Sequence, residues 1–113
     1  IEERSYKDTT AKFYKDLLTY VGDHKFDLII DDGFMGNSPY RRVYVLDLIP
    51  NNLNKDFVIL IDDFNDDKQK DATTAEVLEK LDAHLIKYKT KKLMGRRKQF
   101  LICSESLDFL CTL

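Results

Sequence analysis

Glycine, proline, cysteine and long apolar runs are all scarce in this chain of 113 residues, and each scarcity removes a class of protein. The four glycines include no G-x-G-x-G, so the phosphate-cradling turn that opens a dinucleotide-binding unit is not encoded here. The two cysteines, Cys103 and Cys111, have neither metal nor redox spacing and are expected to be free thiols in a reducing cytosol. No apolar stretch approaches the ~20 residues that span a bilayer, so no membrane partner is expected. The opening IEERSYKD has neither the apolar core nor the small-residue cleavage site of a signal peptide, and a cytoplasmic location is the expectation. Internal repeats and low-complexity segments are absent. The first residue is Ile rather than Met, which reads as a fragment or a trimmed chain.

What the chain does contain is 43% hydrophobic and 34% charged residues, the make-up of one ordinary globular domain spanning 1–113. A net charge of −2 hides a segregation. Asp56, Asp62, Asp63, Asp66, Asp67 and Asp71 crowd the middle, while Lys87, Lys89, Lys91, Lys92, Arg96, Arg97 and Lys98 crowd the final third. The basic run invites a nucleic-acid reading, yet the domain is net acidic and no aromatic interleaves Lys91–Lys98. A solvated hairpin tip is expected there, and no nucleic-acid partner.

Along the chain, Asp8 precedes Thr9-Thr10-Ala11, and Tyr14, Leu17, Leu18 and Val21 recur at helical spacing up to Gly22, predicting a helix over about 8–21. Phe26–Asp31 is a predicted strand. Gly33, Gly36, Asn37, Ser38 and Pro39 form a loop, and Ser38-Pro39 also opens a helix with Val43, Leu46, Ile49 and Leu53 on one face, stopped or kinked at Pro50. Phe57–Ile61 is the second predicted strand. A third helix begins near Thr73-Thr74 and carries Val77, Leu78 and Leu81. Two last strands, about Leu85–Lys89 and Gln99–Ser104, are close enough to form an antiparallel hairpin, and Ser106–Leu113 is apolar enough to pack back on the sheet.

Two acidic doublets carry most of the information. Asp31-Asp32 follows FDLII and Asp62-Asp63 follows FVILI, apolar runs of the kind buried on both faces of a parallel sheet. A helical crossover between such strands makes them parallel and gathers four carboxylates at one rim. Ligands of open α/β folds bind at that rim. The plainer reading stays open beside it, because Asp is favoured at strand ends as a turn former and helix cap. Tyr40, Arg41 and Arg42 lie beside the rim and suit either an anionic or sugar-like substrate or pairing with the Asp residues. His24 falls at the opposite rim, and His84 on an apolar face as a partly buried structural residue.

Phe26-Asp27-Leu28-Ile29-Ile30-Asp31-Asp32-Gly33, Phe57-Val58-Ile59-Leu60-Ile61-Asp62-Asp63 and the loop Gly36–Arg41 together resemble the carboxyl-terminal half of a class I S-adenosylmethionine-dependent methyltransferase. The resemblance runs from about residue 8 to the end. It implies a three-layer, Rossmann-like α/β fold, mostly parallel and ending in an antiparallel hairpin. It implies methyl transfer to a small-molecule or sugar hydroxyl, with S-adenosylmethionine bound only by a longer protein and this chain inactive alone. In metal-assisted members of that fold, carboxylate and amide groups at these strand ends hold a divalent ion. Carried over, Asp32, Asp62 and Asp63 fall on the metal positions, for Mg²⁺ or another divalent cation. Asp32 and Asp62 take the catalytic positions, and Tyr40 and Arg41 lie near the acceptor. Asp63 stands where the family usually has Asn.

Two other classes compete. A non-catalytic α/β scaffold or assembly domain gains weight from the absent glycine turn, and an apolar sheet edge left uncovered is expected to favour a homo-oligomer. A receiver-type phosphotransfer domain also clusters Asp around Mg²⁺, but it calls for a Lys at a later strand end, where this chain has Cys103-Ser104-Glu105.

Overall fold

A computed structural model describes residues 1–33 and 38–112. Gly36 and Asn37 of the expected loop, and Leu113 of the tail, lie outside the described residues. The chain begins with a hairpin where a helix was expected. Strand β1 (Glu2–Tyr6) pairs antiparallel with β2 (Thr9–Phe13), and Tyr6 opposite Thr9 leaves a two-residue turn with Lys7 at φ 53°. The local sequence explains the difference. Thr9 and Thr10 are β-branched, and burial from Ala11 to Phe13 alternates with a period of two, as a strand requires. The helical spacing of Leu17, Leu18 and Val21 yields only α1 (Leu17–Val21). Gly22, at φ 54°, ends it as expected and donates its N–H to the Leu18 carbonyl at 3.0 Å.

Strand β3 (Phe26–Asp31) enters beside β4 (Leu53–Ile61) because Asn52 ties their starts together. Its backbone carbonyl accepts the Phe26 N–H at 2.9 Å, and its side chain donates to the carbonyls of Gly22 and His24. The two strands run parallel, with Ile29 opposite Ile59 and Asp31 opposite Ile61. Their crossover contains a 3₁₀ helix (Val43–Leu48) rather than the expected longer helix, and Leu53 belongs to β4. Helix α2 (Thr73–Ala83) starts where the sequence predicts and buries Val77 and Leu81. His84 after it is exposed, not partly buried as expected. Strand β5 (Tyr88–Met94) lies later than predicted, and β6 (Lys98–Ser104) pairs with it around an exposed turn at Gly95–Arg97. A second 3₁₀ helix (Glu105–Cys111) packs back on β4, β5 and β6.

The expected three-layer, mostly parallel Rossmann-like sheet is overturned. The sheet order is β3-β4-β6-β5, with β1-β2 a separate sheet, and three of the four strand pairings among the described residues are antiparallel. The physical reason lies in the apolar runs themselves. On β4, Phe57, Ile59 and Ile61 are at most 1% exposed while Val58 and Leu60 are only half-buried. On β3, Ile29 is buried whereas Leu28 and Ile30 are 54% and 57% exposed. The strands bury one face and not two. That face carries a single core in which Ile29, Ile59 and Ile102 lie across neighbouring strands under Val43, Val45, Val77 and Leu81. The hairpin joins this core through Ala11 and Phe13 and is pinned at its rim. Arg4 donates to Asp47 at 2.9–3.0 Å, Tyr6 donates to Glu76, and Lys7 bonds Glu76 at 2.8 Å. No helix among the described residues is long and apolar enough to cross a membrane.

Candidate functional site at the carboxyl rim of β3 and β4

Parallel pairing brings the two doublets together, and the Asp62 N–H donates to the Asp31 carbonyl at 3.0 Å. The four carboxylates then meet different fates. Asp31 points to the core face and is 1% exposed. Burial pushes its carboxyl up to about 6, while the Tyr44 hydroxyl and the Arg42 charge oppose that rise and Asp71 and Asp32 add to it. Both Asp31 oxygens are fully enclosed at the core face. Tyr44 is itself pushed above the ordinary tyrosine range, by burial first and by the Asp31 charge second. Its ring lies so close over Gly33 that a Cβ there would collide with the hydroxyl, which accounts for glycine after the doublet.

Asp62 is also buried, and its carboxylate accepts from Gln99 Nε2 and Arg97 Nη1, both at 2.9 Å. The Gln99 hydrogen bond, followed by the Asp63 amide and Arg97, holds it below the usual carboxylate range against the opposing effect of burial. Asp32 and Asp63 are exposed, and Asp63 occupies the left-handed region at φ 52°, which Asp tolerates better than most residues.

Arg42 fixes the rim. It is buried and donates to the Asp62 carbonyl, to the Asp63 carbonyl at 3.2 Å and to the Asp71 carboxylate. Asp71 in turn receives the Thr73 N–H and hydroxyl at 3.1 and 2.7 Å, so one guanidinium links the end of β4 to the start of α2. Asp71 is held below its ordinary range by Thr73 and Arg42, against burial as the largest single effect. Arg41 donates to the Lys70 carbonyl at 2.8 Å, and the Tyr40 ring packs on Tyr6 with centroids 5.1 Å apart. Both expected acceptor-binding side chains thus serve structural contacts. The charge segregation in the sequence also closes on itself. Arg97 meets Asp62, Lys92 meets Asp66 at 2.7 Å, and Lys98 lies 3.8 Å from Asp66.

Among the described residues, no group of three or more His, Cys, Asp or Glu side chains is placed to hold a metal ion. The expected set Asp32, Asp62 and Asp63 shares a rim without forming one ligand cluster, because Gln99 and Arg97 engage Asp62 while its neighbours face solvent. Among the described residues, the β1–β2 hairpin and the short α1 precede β3, and no glycine-rich turn joins a strand to a helix there. Sequence reasoning named Arg42 only beside Tyr40 and Arg41. A buried arginine 29 positions from its carboxylate leaves no local signal. Comparison with protein-family models, curated proteins and solved structures gives no significant match to this chain.

Proposed function

We propose that this chain is the acceptor-side portion of an enzyme resembling the class I methyltransferases, acting on a hydroxyl of a small molecule or sugar. One observation carries the reading: β3 and β4 are parallel neighbours whose acidic doublets share one rim, joined by the Asp62–Asp31 backbone hydrogen bond. In this reading Asp62 stays ionised and orients the acceptor by accepting from its hydroxyl, while Asp32 and Asp63 accept from further hydroxyls at the solvent side. Arg42 and Gln99 position these groups without touching the acceptor. The test is an amide-resolved NMR titration with catechol and with methyl glucoside, beside calorimetry with Mg²⁺ and Mn²⁺. Shifts confined to Asp32, Gly33, Asp62 and Asp63, lost in Asp62→Asn, support the reading. Shifts elsewhere, or none, overturn it, and absence of heat with either cation removes its metal-assisted form.

A second reading, a non-catalytic assembly domain, is favoured by the exposure of Leu28 and Ile30 on an edge strand. Light scattering separates the two. A mass that rises with concentration and returns to the monomer value in Leu28→Lys supports assembly, and a monomer at every concentration removes it.

A further inference from the structure

Beyond the rim, the loop after β4 folds over a second concavity. A cavity of about 440 Å³ lies between residues 64–71, α2 and the β5–β6 hairpin, within the range of small-molecule sites. Its floor is aromatic: the Phe64 and Phe100 rings sit 5.0 Å apart at 49°, and Leu78 of α2 forms the apolar wall. This floor is built before any ligand arrives. The Phe64 N–H donates to the Lys98 carbonyl at 2.8 Å, and Phe100 is held in β6 opposite Ile61.

The lining is net acidic, with Asp66, Asp71, Glu79 and Asp82 against Lys68 and Lys92, and so favours a cation. Lys92 Nζ already stands 5.6 Å from the Phe64 ring centre, so the floor accepts an ammonium group over its face. Lys92 is neutralised by Asp66 at 2.7 Å and offers little to an anion. On the opposite lip, α2 presents Glu79, exposed and 3.7 Å from Lys7 Nζ through one oxygen, and Asp82, three residues on and therefore on the same side of the helix. Asp82 accepts the Tyr88 hydroxyl through one oxygen, which leaves acceptor capacity on a group with about four such positions. We propose that this cavity binds a small primary amine with an aromatic or branched apolar body. The body lies on Phe64 and Phe100 against Leu78, and the ammonium reaches Glu79 and Asp82. None of Asp32, Asp62, Asp63, Tyr40 or Arg41 takes part, so this site stands or falls separately from methyl transfer.

The experiment is an amide-resolved NMR titration of the 113-residue chain with phenethylamine. Phenylacetate serves as the charge-inverted control and cadaverine as the control without a ring. Phenethylamine is expected to shift Phe64, Leu78 and Glu79, and to bind roughly tenfold more tightly than either control. Glu79→Gln with Asp82→Asn, both on the exposed side of α2, is expected to weaken it about tenfold. Leu78→Trp is expected to abolish binding by filling the cavity, and Ala75→Leu provides a milder obstruction if tryptophan disturbs packing. Equal binding of phenylacetate, shifts away from the cavity, indifference to the obstructing variants, or no shift up to about 20 mM would each overturn the proposal.

Discussion

Replacing Asp31 by asparagine should stabilise this protein at neutral pH, although the residue sits in the most recognisable motif of the chain. A carboxyl that ionises near 3.8 when solvated is pushed to about 6 by burial at the end of β3. At about 1.4 kcal/mol per tenfold change in proton affinity, that difference amounts to about 3 kcal/mol. The sign follows from proton linkage. Between about pH 4 and 6 the folded state holds a proton at Asp31 that the unfolded state has released, so stability falls as pH rises through that window. Above it, the full cost of a buried carboxylate is present. Asparagine has no charge to bury, but its amide needs its own partners, so the expected gain at pH 7 is about 1–2 kcal/mol. Asp62 and Asp71, held below their ordinary range, act with the opposite sign and lose their contribution only as pH falls below about 4. Urea denaturation followed by far-UV circular dichroism, suited to a chain without tryptophan, gives both curves from pH 4.5 to 8. The wild-type minus Asp31→Asn difference should slope between pH 4.5 and 6 and be flat above. A flat difference throughout, or a variant less stable than wild type at pH 7, would refute the assignment of Asp31 as a buried, poorly compensated acid.

Two further outcomes follow from the same structure. Arg42→Met strands the Asp71 carboxylate in the interior and should cost about 3–5 kcal/mol, whereas Arg42→Met with Asp71→Asn should cost clearly less than the sum of the single changes. Additive costs in a double-mutant cycle would show that the pair does not interact. Burial pushes the Cys103 thiol up to about 12, so iodoacetamide at pH 8 should alkylate it more than about a hundredfold slower than a free cysteine. Rapid modification seen by peptide mass mapping would contradict that burial.

The sequence announces what is local and repeats in short range. The strand ends at Asp31 and Ile61, the start of α2 at Thr73, the stop at Gly22 and the β5–β6 hairpin all follow from turn residues beside apolar runs. Faces were harder to read. FVILI has no polar residue to mark its outer side, so Val58 and Leu60 look as buried as Ile59, and the three-layer parallel fold inferred from that run fails. Residues 9–13 read as helix because Tyr14, Leu17 and Val21 lent them a period that belongs only to the last turn. In the candidate site, the doublets were legible and their surroundings were not. Arg42 reaches Asp71 across 29 positions, and Gln99 reaches Asp62 across 37, distances over which neither composition nor periodicity carries information.

The amino-terminal hairpin has a consequence for how the molecule comes apart. Two strands alone are marginal in water, and these two are joined to the body by Ala11, Phe13 and polar pins on Asp47 and Glu76. Mild acid or high salt weakens those pins before it reaches the central isoleucines. Amide protons of residues 2–13 should therefore exchange well ahead of those in β4 and β6. On this reasoning the molecule should peel from its first residues inward, and a protease attacking that end should meet an intact four-stranded remainder.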